Sequence, residues 1–341
     1  MPPQNKLAKA TMPDSKNTGS KQDPTLSALL RRQKYQLVGR NTAVKKCRWL
    51  HKSLVEGRRC YKAKFYGIKS HRCLQMTPSR IWCTQRCLFC WRIQDDKSDF
   101  SFNMSSARAA WDDPSKIVDY SLKAQRRILS GYNGQVLNGK VDPKIYREAL
   151  EPKHAAISLT GEPTLYPQLD ELISEFHSHG LTTFLVTNGT RPEVLKRLSE
   201  EPTQLYISLS APSFEKYKEI CRPYSSRLWQ KLMGTLELVK SFRCPTAVRI
   251  TLVKGLNLQD PQGYAKLISR AEPTYVEPKS YMYVGDSRKR LEFSNMPSHD
   301  EIREFSSTLS ELTGYRMIDE SSESRVVLLS RLEKPIKVSS D

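Results

Sequence analysis

Cys83, Cys87 and Cys90 stand in a C-x3-C-x2-C run, and Cys47, Cys60 and Cys73 precede them with twelve residues between neighbours. Thiolates are soft, strong metal ligands, so triads at such spacings point first to metal chemistry. On one short loop, three thiolates can hold three irons of a [4Fe–4S] cluster and leave the fourth iron without a protein ligand. An open coordination position is what a catalytic metal needs, whereas a structural zinc site is closed by a fourth ligand. No Cys or His lies between Trp91 and Lys153, which counts against zinc. For the earlier triad, spacing alone leaves two readings open: a second cluster with one open iron, or scattered buried cysteines. Cys221 and Cys244 fit neither pattern and read as core residues. The histidines (51, 71, 154, 177, 179, 299) show no ligand or triad spacing, and His177 and His179 read as a solvated helix end.

Charge is unevenly spread around these cysteines. The 341-residue chain has a formal net charge of +19, and residues 1–73 hold 18 Lys+Arg against Asp14, Asp23 and Glu56, or +15 of that total. Such a stretch is built to meet a polyanion, the alternative being a basic tail that merely keeps the chain soluble. Trp49, Tyr61, Phe65 and Tyr66 are interleaved with the Lys and Arg residues. That mixture suits looped or single-stranded RNA, whose bases stack on rings while its phosphates are neutralised. No run approaches eighteen apolar residues and Met1–Lys21 has no apolar signal core, so no membrane partner and a cytoplasmic location are expected. There cysteines stay reduced and serve as ligands or reactive thiols.

The elements that must position these groups follow from periodicity. Residues 1–25 are polar and rich in Lys, Ser and Pro and read as a disordered basic tail, and Leu26–Leu37 as a first helix. Apolar, β-branched runs at Ala155–Leu159, Thr183–Thr187, Leu205–Ser210, Ala247–Val253 and Thr274–Val284, with one earlier strand near Met76–Trp82, give about six strands. Between them, Leu169, Leu172, Ile173 and Phe176, then Leu228, Leu232, Leu236 and Val239, form helical stripes, and Pro192 opens another helix. Alternating strands and helices predict an α/β fold with a parallel sheet, too few strands for a closed eight-stranded barrel, and chemistry at the strands' C-terminal ends. A last helix (Ile302, Phe305, Leu309, Leu312) and a hairpin over Tyr315–Ser330 close the chain.

The run ending Phe89-Cys90 resembles the signature of the radical S-adenosylmethionine (SAM) superfamily, and the strand count matches that family's partial open (β/α)6 barrel. The resemblance implies that the open iron chelates SAM and that one electron splits it to methionine and a 5′-deoxyadenosyl radical. Gly161-Glu162-Pro163 looks like the family's glycine-rich motif, whose carbonyls receive the SAM amino group; as a bare tripeptide it reads equally as a turn. Asn188, Ser208 and Ser210 are further candidate SAM contacts, their alternative role being helix caps.

The C-x12-C-x12-C triad, Val284-Gly285-Asp286-Ser287-Arg288 and Ser324–Leu329 resemble the tRNA 4-demethylwyosine synthases in their archaeal form, over roughly residues 40–335. This implies a radical SAM carbon–carbon lyase with two [4Fe–4S] clusters. It would condense N1-methylguanosine-37 in the anticodon stem-loop of tRNA(Phe) with pyruvate into a tricyclic base. The second cluster would receive pyruvate, and the family pattern gives a Schiff-base role to Lys62, two positions after Cys60; phosphate binding is the alternative for Lys62. A neutral amine there would be favoured by the neighbouring positive charges of Lys64 and Arg59. Arg58, Arg59 and Lys64, and from the opposite side Arg288, Lys289 and Arg290, are the candidate RNA contacts. Eukaryotic relatives carry an FMN-binding domain ahead of this region; about forty residues precede Cys47, so an external electron-donor protein is expected. The organisation expected is a tail (1–25), a basic extension with the second ligand set (26–73), a radical SAM core (74–284) and a C-terminal wyosine-forming region (285–341). Another radical SAM RNA modifier, such as a methyl- or methylthiotransferase, and a zinc-stabilised tRNA-binding protein are the competing readings.

Overall fold

Six strands run parallel and side by side: β3 (Cys73–Thr77), β4 (His154–Ile157), β5 (Thr182–Thr187), β6 (Gln204–Ser208), β7 (Thr246–Leu252) and β8 (Tyr275–Ser280). The structure, a computed structural model, describes residues 24–94 and 111–338. The expected tail thus lies outside the described residues up to position 23. Two antiparallel hairpins extend the sheet. β1 (Gln36–Val38) and β2 (Thr42–Val44) add at the β3 edge, and β9 (Arg316–Ser321) and β10 (Val326–Ser330) at the β8 edge, in the order β1-β2-β3-β4-β5-β6-β7-β8-β10-β9. The sheet remains open, as the strand count predicts.

Period-two alternation sorts the strand residues into two faces. Leu74, Met76, Ala155, Ile157, Leu205, Ile207, Val248, Ile250 and Val276 join the core beneath the outer helices. Gln75, Ser158, Val186, Ser208, Arg249, Thr251 and Lys279 point the other way and line a central cavity. Below them, Phe184, Tyr206, Ala247 and Tyr275 pack with Tyr61, Phe65, Tyr66 and Ile68. A short helix, α3 (Tyr61–Tyr66), therefore plugs one end of the lumen.

Three local expectations need correction. The first helix, α1, spans Pro24–Arg32 and not Leu26–Leu37. Lys34 turns left-handed at φ 66°, and the chain enters a hairpin whose Gly39 turn is capped by Asp112, accepting from the N–H groups of Arg40 (2.8 Å) and Asn41 (3.2 Å). The strand expected over Met76–Trp82 ends at Thr77 because Pro78 has no N–H to continue the ladder. The helix end is solvated at His179, but His177 is half-buried, 2.5 Å from Glu200 and 2.8 Å from the Thr183 hydroxyl.

Candidate active site

The loop leaving β3 holds Cys83, Cys87 and Cys90 over the C-terminal ends of the parallel strands. Backbone bonds fasten it on several sides. Arg86 N–H donates to Cys221 O (3.0 Å), Leu88 N–H to Ile220 O (2.8 Å), and Glu162 N–H to Trp82 O (2.6 Å). Arg290 donates from Nε to Leu88 O at 3.1 Å and from its guanidinium to Cys90 O. Gly161 has φ 69°, and a Cβ there would lie 1.8 Å from Ser79 O, so only glycine lets the β4 exit approach this loop.

The Glu162 carboxylate is buried and fully employed, accepting from Thr187 Oγ1 (2.5 Å), Asn188 N–H (2.8 Å) and Thr164 N–H (3.1 Å). Burial pushes it up, only partly offset by these donors. Its backbone carbonyl accepts from Ser79 Oγ at 2.8 Å, so this oxygen already has a donor before any ammonium arrives. Asn188 reaches Thr84 Oγ1 (2.9 Å) and the Cys83 thiol (3.7 Å). The three thiols, Gly161, Glu162, Asn188, Ser208 and Ser210 line one cavity of about 360 Å³, a size that takes a nucleoside-like ligand. Pro163 starts a 3-10 turn behind it.

The second triad is assembled from three separate elements. Cys47 caps α2 (Arg48–Val55), Cys60 caps α3, and Cys73 is the first residue of β3. Burial raises the Cys47 and Cys73 thiols, each also raised by charge on the neighbouring cysteines. Ser70 Oγ lies 3.2 Å from the Cys60 sulfur. All six cysteines are half-buried residues. Among the described residues no three His, Cys, Asp or Glu groups gather tightly enough for a single metal ion. Zinc would draw its thiolates to about 2.3 Å of one point. A cluster takes one thiolate per iron on separate corners, and three thiols in each triad fit that donor set.

Lys62 projects from α3 into the lumen, its Nζ 4.2 Å from the ring centroids of both Phe184 and Tyr206. Its amine is pushed down to about 8, chiefly by burial and then by Arg249. The expected influence of Lys64 and Arg59 is not the cause: Lys64 turns outward to Asp319 (2.7 Å), and Arg59 is exposed. Beside Lys62 lies a group the sequence reading missed. The fully buried Glu277 accepts from Arg249 Nε (3.1 Å) and Nη2 (2.8 Å), Tyr66 (2.6 Å), Tyr206 (3.2 Å) and Tyr61 (3.4 Å). Burial alone would raise this carboxyl, but Arg249 and the Tyr66 hydroxyl hold it below the usual range. Pattern does not reveal a charged pair inside strands that otherwise read as buried.

The basic residues are less free than their spacing suggests. Arg58 bonds Glu323 (2.9 Å) and Glu56 (3.1 Å), so with Lys64 it docks this region on the C-terminal hairpin. Lys289 pairs with Asp286 (3.3 Å), Arg288 Nε contacts Gly285 O (3.3 Å), and Arg290 braces the thiol loop. Tyr61, Phe65 and Tyr66 are buried core residues and not base-stacking platforms; Trp49 keeps partial exposure beside Lys52 and Arg58. A basic concavity that the sequence reading missed borders the thiol loop, lined by Arg86, Lys218, Arg222 and the half-exposed Tyr224, with no acidic residue in its lining.

An open parallel barrel with three thiols above its strand ends defines a radical SAM enzyme. The Radical SAM superfamily model matches residues 80–268, and a model described as wyosine base formation matches residues 270–331. The chain belongs to the S-adenosyl-L-methionine-dependent tRNA 4-demethylwyosine synthases. It is 53% identical to the synthase of Pyrococcus abyssi, over 89% of this chain and 87% of that one. It is 45% identical to that of Methanocaldococcus jannaschii, over 90% and 96%. A solved structure described as TYW1 with a lysine-pyruvate adduct bound aligns with a TM-score of 0.82 at 42% identity, covering 94% of this chain and 99% of that one. Membership implies SAM and a [4Fe–4S] cluster. No helix among the described residues is long and apolar enough to cross a membrane.

Proposed function

We propose that the chain condenses N1-methylguanosine-37 of tRNA(Phe) with pyruvate to form 4-demethylwyosine. In this reading Cys83, Cys87 and Cys90 hold the SAM-binding cluster, and Cys47, Cys60 and Cys73 hold a second [4Fe–4S] cluster. When bound, the first cluster supplies the electron that cleaves SAM. The single observation that carries the reading is the position of Lys62. It is an amine lodged against Phe184 and Tyr206 in the barrel lumen, near Cys60 and Cys73 of one thiol triad and near Arg249, which lines the cavity beneath the other. The lysine-pyruvate adduct bound in the related structure supports it further.

The chemistry asked of the chain is then local. Burial keeps the Lys62 amine neutral more often than a surface lysine, so its lone pair can attack the pyruvate ketone. The condensation forms a C=N bond and expels the ketone oxygen as water; no oxidant is consumed. Asn188, Ser208 and Ser210 offer polar groups to SAM, and the closed Glu162 network keeps the β4 exit rigid around it. Position 37 must leave its stack to reach the cavity, at a cost of a few kcal/mol that phosphate contacts offset. Those contacts are assigned to Arg59, Arg288 and the basic concavity of Lys218 and Arg222, with an external protein delivering electrons in the cytoplasm. The four parts are regions of the sequence that share one sheet, which runs through the 73/74 and 284/285 boundaries.

The test is mass spectrometry of nucleosides from tRNA(Phe) carrying N1-methylguanosine, incubated anaerobically with reconstituted protein, SAM, a reductant and pyruvate labelled at C2 and C3. The expected product is the tricyclic base carrying both labels. An unlabelled product, or a methylated or methylthiolated base, overturns the reading. For Lys62, borohydride reduction should fix labelled pyruvate to wild type and not to Lys62→Ala; equal label in both would dismiss this lysine.

A further inference from the structure

The charge in the lumen extends beyond Lys62. Arg249, on β7, lines the cavity, and its Cζ lies 4.4 Å from the Tyr206 ring centroid, the same ring that Lys62 Nζ approaches to 4.2 Å. The guanidinium is held in place from behind. Nε and Nη2 bond Glu277, and Nη2 also contacts the Tyr61 hydroxyl, while Nη1 takes part in none of these bonds. Glu277 in turn is fixed by three tyrosines. An arginine anchored through Nε and Nη2, with Nη1 outside those bonds and the residue lining a cavity, is a preorganised charged donor for a second carboxylate.

The local charge count agrees. Lys62, Arg249 and Lys279 converge on the Tyr61 and Tyr206 rings, and Glu277 is the carboxylate bonded within this cluster. Lys279 is bonded to Ser324 O, with no carboxylate within ion-pair distance among the described residues. Three basic groups around a single carboxylate leave hydrogen-bond donors that an anionic occupant would satisfy. We propose that Arg249 binds the carboxylate of the 2-oxo acid whose ketone condenses with Lys62, with Glu277 as the positioning residue that aims the guanidinium. This deepens the preceding reading and rests on the assignment of Lys62. It gives the site a reason to select a 2-oxo acid over a simple ketone: the amine captures the carbonyl carbon, and the guanidinium fixes the charged end so that the methyl group is left facing the cavity.

The experiment compares borohydride trapping of labelled pyruvate and of labelled methyl pyruvate, in which the charge is removed, at concentrations below saturation. Arg249→Lys is the informative variant, because its ammonium keeps the buried pair with Glu277 while the second terminal nitrogen that would reach the substrate is lost. It should trap pyruvate about tenfold less than wild type or worse, in keeping with removal of a charge-assisted hydrogen bond, and trap methyl pyruvate equally well. The double variant Arg249→Met/Glu277→Gln removes the pair without stranding a buried carboxylate and should behave the same way. Undiminished pyruvate trapping in both variants overturns the proposal. So does a result in which Arg249→Lys spares pyruvate trapping but raises the SAM concentration needed for cleavage, since the guanidinium would then hold the carboxylate of SAM. If Lys62→Ala still traps pyruvate at the wild-type level, the preceding reading fails, and that result is distinct from either outcome at Arg249.

Discussion

The two thiol triads are built in opposite ways. Cys83, Cys87 and Cys90 lie within eight residues of one loop, and the loop's geometry is imposed by backbone bonds to the 220–222 turn and, through the Trp82 carbonyl, to Glu162. Cys47, Cys60 and Cys73 come from two helix caps and a strand start, so nothing in their local backbone gathers them. They meet because α3 is driven into the lumen by the burial of Tyr61, Phe65 and Tyr66. One triad is a motif, and the other is a consequence of packing. The twelve-residue intervals are the length of a helix and its exit turn, which is why a regular spacing coexists with distant elements.

This contrast can be tested. The largest effect is expected from replacing Cys83, Cys87 and Cys90 together by Ala: reconstituted protein should keep about half its iron and lose SAM cleavage altogether. Full iron content in that variant would remove the assignment of a cluster to the loop. The same change at Cys47, Cys60 and Cys73 should again halve the iron yet spare uncoupled SAM cleavage, while formation of the tricyclic base ceases. A normal rate of product would show that the packed triad has no catalytic part.

A smaller effect should come from the charge in the lumen itself. Burial, and then Arg249, pushes the Lys279 amine down from 10.5 to about 7. Between those values the unfolded chain binds more protons than the folded one, so the stability contributed at this position rises with pH. Lys279→Met should therefore be most stabilising relative to wild type below pH 7, and the advantage should fade toward pH 10.5. Urea titrations across that range check it, and a pH-independent difference would mean that the amine is not desolvated.

The smallest effects concern RNA. Arg58 and Lys64 are held by Glu323 and Asp319, so replacing Arg58, Arg59 and Lys64 by Gln should change tRNA affinity through Arg59 and loosen the hairpin. Replacing Lys218 and Arg222 should lower the salt slope of tRNA binding by close to two ions, about 0.9 for each phosphate left unneutralised on a duplex and about 0.7 on a single strand. Filter binding between low and moderate salt separates the two regions. An unchanged slope for the second pair would place the tRNA elsewhere.

Much of this molecule was written in its sequence. The βα rhythm, the open six-stranded count and the tight cysteine run all depend on local periodicity or spacing, and such features survive in a linear reading. The N-terminal hairpin was not legible, because it is fixed by Asp112, seventy residues away, and the strand after the first helix is only three residues long. Nor was the fate of the basic extension. Composition marked Tyr61, Phe65, Tyr66, Arg58 and Lys64 as a nucleic-acid face, yet three of these rings are core and both cations are spent on acids some 250 residues further along. The Arg249–Glu277 pair was invisible for a related reason: a charge buried in a strand is stable only through partners that converge from other strands and from α3, and those partners exist only once the barrel has curled around them.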